Sequence, residues 1–342
     1  MAIAIREADV ERDAASLISF LGTHLADHGG AARYDWLYRR NPFGTGRAWI
    51  AWNESDGQMV GAAAAFPRPI VVDGRPVSGW NLGDFAVHPQ HRTLGPAIRL
   101  QHALLDEVTR GGALAYDHPS ASMLAVYRWM KVEPAGSVVR YAKPLLLDDR
   151  LAGGALGRLA SLPASTFVRL ADTLGRPKTS ASAEPFRGRF GAAAEALARR
   201  VGASCRVAGV RSAAYLNWRY LDSPRGGHEV VAVVGSDDGC EGFAVVRREG
   251  RHAVLRDVVS EPDSPAVHAL LRGVVTELRR GGVQTLSAPV LETSPLVPVL
   301  RRWGFHPRES APFVVVTGVD DPLRDVVGHG RHWLLTDGDR DV

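Results

Sequence analysis

The chain has 342 residues, 45% of them hydrophobic and 23% charged, which is the profile of a folded globular protein with room for two ordinary domains. Its net charge of +4 comes almost wholly from arginine, Lys131, Lys143 and Lys178 being the only lysines, and is too diffuse for the concentrated basic stripe of a nucleic-acid binder. No apolar run reaches the ~18 residues of a membrane span, and Cys205 and Cys240 offer neither a disulfide framework nor metal-ligand spacing, so a cytoplasmic protein without metal is expected.

In chain order, Ala14 to Leu25 predicts an amphipathic helix, followed by an aromatic segment around Trp36 and Tyr38. Strands are expected over Ala48 to Trp52, Met59 to Phe66 and Trp80 to Val87. Pro89 stops the last of these, and a helix over Pro96 to Arg110 carries its apolar stripe on Ile98, Leu100, Leu104, Leu105 and Val108. A strand at Ala113 to Tyr116 and a helix bearing Tyr127 follow. The intervening segment Val87-His88-Pro89-Gln90-His91-Arg92-Thr93-Leu94-Gly95-Pro96-Ala97 leads a strand through a tight turn into a helix start. Backbone amides there are expected to be available to an anion, with Gly95 and Ala97 keeping the first turn thin.

The chain then repeats itself. Trp36 and Tyr38 recur as Trp218 and Tyr220 at an offset of 182, shared by Pro42 with Pro224 and Gly57 with Gly239. Asp84 with Asp257, Pro89 with Pro262 and Pro134 with Pro307 lie 173 apart, so the second copy has lost nine residues in the region of the Val72 to Arg75 turn. Its expected elements are a helix over Ala192 to Val201, strands over Glu229 to Val234, Gly242 to Arg247 and Ala253 to Val259, a helix over Ser264 to Gly281, and a strand at Thr285 to Ala288. His332 to Leu335 reads as a final strand before a tail in which Asp337 and Asp339 are too few for a calcium loop. Between the copies, Pro163 to Leu174 reads as a short helical connector, with a linker boundary near residue 180.

Arg92-Thr93-Leu94-Gly95-Pro96-Ala97, in this order of elements, resembles the coenzyme A pyrophosphate loop of the GNAT acetyltransferase superfamily. The resemblance implies an α+β fold of two tandem acyl-CoA N-acyltransferase (GNAT-like) domains, each a mixed central sheet flanked by helices. Residues 1–145 would form the cofactor-binding, catalytic domain, 146–181 the helical connector and linker, and 182–342 a degenerate copy, which has Pro265 to Leu270 in place of the loop and Leu300 in place of Tyr127. The implied reaction is transfer of an acetyl group from acetyl-CoA to a primary amine of a small molecule or sugar, by direct attack in a ternary complex. Phe85, Ala86 and Val87 would hold the pantetheine arm, and His91, Arg92, Thr93, Leu94, Gly95, Pro96 and Ala97 the pyrophosphate.

Tyr127 stands four residues before the place where the family carries Gly-Phe, where a tyrosine serves the departing sulfur. Here that pair is Lys131-Val132, while the second copy keeps Gly304-Phe305. Strand alternation puts Asp84 on the face of Ala86 and His88, making it the leading base, although Asp257 repeats it in the copy without the loop; His88, His91, His118 and Asp117 are the reserves. Two other readings stay open. One is a Fem-type peptidyltransferase using aminoacyl-tRNA, and the other an acyl-CoA sensor or scaffold without turnover.

Overall fold

The computed structural model describes residues 3–26, 29–92, 94–146, 181–235, 239–261, 263–318 and 321–340. The connector expected over Pro163 to Leu174 lies outside the described residues.

The first half opens with strand β1 (Ile3–Glu7), helix α1 (Ala14–His24) and the short α2 (Gly30–Tyr34), which widens into a π-helical turn over Asp35–Arg39. Strands β2 (Arg47–Asn53) and β3 (Gln58–Pro67) form a hairpin, β4 (Ile70–Val72) and β5 (Arg75–Val77) a smaller one, and β6 (Gly79–Val87) returns antiparallel to β3. Helix α3 (Leu94–Val108) then crosses to β7 (Leu114–Asp117), and α4 (Ala121–Trp129) and β8 (Pro134–Pro144) complete the half.

The second half follows the same order. Short β9 (Glu184–Phe186) precedes α5 (Ala192–Ala203), β10 (Val207–Gly209) and α6 (Ala213–Leu216), which again widens into a π-helical turn, over Asn217–Leu221. Strands β11 (His228–Val234), β12 (Cys240–Glu249) and β13 (His252–Ser260), helix α7 (Pro265–Arg280), β14 (Thr285–Leu291), α8 (Leu296–Arg302) and β15 (His306–Thr317) follow, and β16 (Trp333–Leu334) leads into the C-terminal tail.

The expected α+β class is therefore correct, with helices on both faces of a mixed sheet. In the first half the predicted stripe of α3 is buried on β2, β3 and β6, while α1 and α2 cover the opposite face. In the second, α7 and α5 take the corresponding places.

The two halves share one twelve-stranded sheet, in the order β1-β2-β3-β6-β7-β15-β8-β14-β13-β12-β11-β9. Each half gives its last strand to the other. Strand β8 follows α4 but pairs with β14, from Val138 to Pro144; β15 follows α8 but pairs with β7, from Val314 to Thr317. The exchanged strands lie antiparallel against each other at the centre. Neither long strand was anticipated, because Pro134, Gly136, Pro307 and Pro312 read as turn signals and Arg308 to Ser310 break the apolar alternation. Bulges absorb the irregularity in β15, where the register shifts between Pro307 and Ser310 and again between Phe313 and Val314.

The repeated tryptophans meet where the two halves join. The Trp36 and Trp218 rings stack with centroids 4.5 Å apart, the Trp36 indole N–H donates to the Trp218 carbonyl at 2.9 Å, and the Trp218 indole N–H donates back at 3.1 Å. Each buried donor is thus satisfied by the other half's backbone. The smaller sheet also joins the halves, β4 pairing with β10, which in turn pairs with β16.

Helices α4 and α8 end alike. Val132 N–H bonds to the Tyr127 carbonyl and Lys131 N–H to the Arg128 carbonyl, and Phe305 and Gly304 repeat these bonds to Leu300 and Arg301. This is a Schellman end, whose turning residue is left-handed: φ is 77° at Gly304 and 59° at Lys131. Lys131, where the resemblance expects glycine, therefore carries backbone strain. Lys131→Gly is expected to raise stability by about 1 kcal/mol in urea unfolding; an unchanged or lower midpoint would show that the lysine side chain compensates the strain.

Candidate active site

The site begins with a break in the sheet. Strands β6 and β7 pair in parallel only from Gly79 to Asn81 and from Leu114 to Tyr116, and beyond this they diverge. A bulge lies just past the fork, where Asp84 and Phe85 face the single residue Ala63 and Asp84 takes φ 49°. The effect is to turn Phe85 and Val87 toward the α3 face and Asp84 and Ala86 toward the α1 face.

A cleft of about 430 Å³ opens at this divergence. Its walls are Phe85, Ala86 and Val87 of β6, Arg92 and Ala97 at the start of α3, Ser120, Ser122, Ala125 and Val126 of α4, and His24 and Leu25 at the end of α1. The structure thus brings together five of the residues expected to hold the donor. A larger cavity of about 790 Å³ lies at the far end of α3, around Thr109 to Gly112 and Lys131. It is remote from both the strand fork and the helix starts, and volume alone does not make it the chemical site.

The loop is tighter than expected. Pro89–His91 form a 3₁₀ turn in which His91 N–H bonds to the His88 carbonyl and Arg92 N–H to the Pro89 carbonyl, so these two amides are already used. Helix geometry leaves the amides of Leu94 and Gly95 pointing out of the first turn, and Pro96 has none. Gly95 has ordinary helical backbone, and a side chain there would meet nothing, so its use is to leave the surface open. Thr93 lies outside the described residues. Arg92 is exposed and its Nε donates to the Val87 carbonyl at 3.1 Å, which ties the guanidinium to the strand end.

Asp84 is not placed as a base. Its carboxylate is buried, ion-paired to Arg33 at 2.9 Å, and accepts from the Tyr38 hydroxyl at 2.9 Å. A carboxylate committed to a guanidinium has little affinity for a substrate proton. The second half builds the same anchor, with Asp257 accepting from Tyr220 at 2.8 Å and from Arg211 at 3.0 Å. Repetition without the loop marks the aspartate as the pin between sheet and π-helical turn.

Tyr127 is fully buried in the α3 layer and does not line the cleft, although its neighbours Ala125 and Val126 do. Its hydroxyl donates to Asp117 at 2.8 Å and accepts from Gln101 at 3.2 Å. Burial, reinforced by the Asp117 charge, pushes its pKa well above 10, so it stays protonated at neutral pH. Among the reserves, His118 has Nε2 sealed from solvent, and burial pushes its pKa down to about 3. Sequence reasoning missed His24, Ser120 and Ser122. A Ser-x-Ser after Pro119 was a legible helix start, and Ser120 does cap α4 by accepting from Met123 N–H at 3.3 Å.

The equivalent place in the second half is closed. Strands β13 and β14 pair only from His252 to Val254 before diverging, but the tail enters the fork, with Thr336 bridging to Val290. About 10 Å³ remains between β13, α7, β14 and α8. The start of α7 is capped by Ser264, whose hydroxyl accepts from Ala266 N–H at 3.2 Å.

The fold and cleft can be set beside known proteins. Residues 5–134 match the family model described as Acetyltransferase (GNAT) domain. Among solved structures, the chain is similar to a GCN5-related N-acetyltransferase from Anabaena variabilis, with 16% identity, TM-score 0.67, and coverage of 92% of this chain and 72% of that one. A probable N-acyltransferase from Enterococcus faecalis gives 12% identity and TM-score 0.66 with the same coverages. N-myristoyltransferase of Saccharomyces cerevisiae with bound myristoyl-CoA gives 13% and 0.56, covering 93% and 79%. No curated protein matches the chain in sequence. The fork, the cleft and the loop all fall within the matched residues, and the chain accordingly carries a GNAT acetyltransferase domain over residues 5–134, the domain of an acyltransferase.

Proposed function

We propose that the first half transfers an acetyl group from acetyl-CoA to a primary amine of a small molecule or sugar, by direct attack within a ternary complex. The observation that carries this reading is the cleft at the β6–β7 fork, walled by Phe85 to Val87, the start of α3 and the start of α4. A thioester lying along β6 would present its carbonyl in the gap, with strand amides beside it, while the pyrophosphate meets Arg92 and the amides of Leu94 and Gly95. The acceptor reaches the carbonyl from the α1 face. No covalent protein intermediate is needed.

In the same reading the chain is a tandem of GNAT-like halves. Residues 182–342 form a degenerate copy that supports the first, its fork filled by the tail and its helix start capped by Ser264. The free thiols Cys205 and Cys240 support a reducing, cytoplasmic setting.

Acetyl-CoA with a panel of primary amines, followed by release of free thiol, tests the transfer. Longer acyl-CoA donors in the same assay test the acetyl preference. Arg92→Glu is expected to weaken acetyl-CoA binding about 10- to 100-fold in calorimetry, the value of a charge-assisted contact, while leaving the fold intact. Unchanged affinity would remove the loop from the binding site and with it the proposed donor.

A further inference from the structure

The reaction needs a group that takes the proton from the attacking amine, and the carboxylate expected to do so is held by Arg33 and Tyr38. The last turn of α1 supplies another. His24 lines the cleft on the side of Leu25 and Ala86, whereas Arg92, Ala97, Ser120 and Ser122 wall it on the donor side. We propose that His24 is the catalytic base for the acceptor amine, an assignment that rests on the acyl-transfer reading above.

Three observations carry it. The position is right, because His24 and Leu25 wall the same cleft as Phe85, Ala86 and Val87, on the face where Ala86 packs with α1. The ring is oriented by its neighbours, with the Phe20 centroid at 4.5 Å and His88 edge-on at 5.2 Å. His88 is itself fixed, since its Nδ1 accepts from Gln90 N–H at 3.3 Å, which leaves the proton of its neutral form on Nε2; the His91 ring lies beyond it, tilted, at 5.8 Å. The third observation is electrostatic. Partial burial first, then the nearby His88 and Arg92, lower the pKa of His24 below its ordinary 6.5, so the imidazole is neutral at pH 7 and able to accept.

The step balances without a further reagent. The amine lone pair forms the C–N bond, the C–S bond breaks with its electron pair going to sulfur, and the ammonium proton passes to His24. Protonated His24 returns the proton to solvent, and the thiolate takes one up.

The test is a pH profile of thiol release for the full chain, with acetyl-CoA and the amine panel, for wild type and His24→Gln. Wild type is expected to lose rate on the acid side below about pH 6.5, and His24→Gln to fall about 100-fold or more and to lose that acid limb, with acetyl-CoA affinity and melting temperature unchanged. His24→Ala should regain rate on adding imidazole. If wild type turns over and both variants match it in rate and profile, His24 is not the base, although the transfer reading stands. If wild type releases no thiol with any amine, the transfer reading falls and this assignment falls with it.

Discussion

Replacing Asp339 with alanine is expected to destabilise the protein by about 3–5 kcal/mol, the cost of leaving buried charges without their partner. Asp339 lies in the tail, and its carboxylate accepts from Arg68 at 2.7 Å and Arg211 at 2.7 Å, all three side chains being at most 3% exposed. Arg68 belongs to the first half and Arg211 to the second, so one carboxylate joins both. Its carbonyl accepts from Asn81 and Tyr116, the residues at the end of the β6–β7 pairing, each at 2.8 Å. Arg211 continues to Asp257, and Arg256 pairs with Asp337, extending the buried network through the fork of the second half.

The surface provides the control. Arg206 and Asp73 also join the halves, at 2.7 Å, but their side chains are 50% and 46% exposed. Solvent screening leaves such an exposed pair with little effect on stability. Urea unfolding of Asp339→Ala and Asp73→Ala at pH 7 therefore separates the two mechanisms, and equal midpoints would refute the tail as an interlock.

The pH dependence has a definite sign. Burial alone would raise the Asp339 pKa, but Arg211 and Arg68 overcome it and hold the group at about 2. Because the folded value lies below the unfolded one, its stabilisation is fully present above about pH 4 and is lost as pH falls through 2. Asp339→Ala should lack that acid-dependent component.

The sequence made much of the first half legible. Apolar residues at helical spacing located α3, and the loop ahead of it led to the cleft, because both are local patterns. Lys131 and Gly304 were visible as a departure and its retained counterpart, and the backbone explains why the position matters. The exchanged strands were hidden, since their pairing depends on the other half and their prolines and polar residues obey no simple alternation. Asp84 was misread for a related reason: alternation gave its face correctly, but its partner Arg33 lies 51 residues away and no local signal announced the ion pair. The tail was similarly opaque. Asp337 and Asp339 look like solvated charges in sequence, and only the arginines gathered from β3, α6 and β13 regions make them core residues.

Tyr127→Phe is expected to lower turnover about 100-fold while leaving acetyl-CoA affinity unchanged, if the tyrosine serves the departing sulfur as the resemblance implies. Burial and the Asp117 charge raise its pKa, so its proton is less acidic than that of an ordinary thiol, and outright transfer to a thiolate runs uphill. Its value is then that of a fixed donor to charge developing on sulfur, a contribution of about 10²–10³ for one well-placed hydrogen bond. To make that bond the hydroxyl must exchange Asp117 for the sulfur, and the adjoining Ala125 and Val126 place its helix along the donor wall. Removing the hydroxyl also takes one donor from Asp117 and the acceptor from the Gln101 amide, which costs about 1–3 kcal/mol in stability whether or not the tyrosine is catalytic. The two effects are read separately, by thermal unfolding and by single-turnover thiol release. Lower stability with an undiminished single-turnover rate would confine Tyr127 to holding α3, α4 and the end of β7 together, and the thiolate would then depart with solvent alone to receive it.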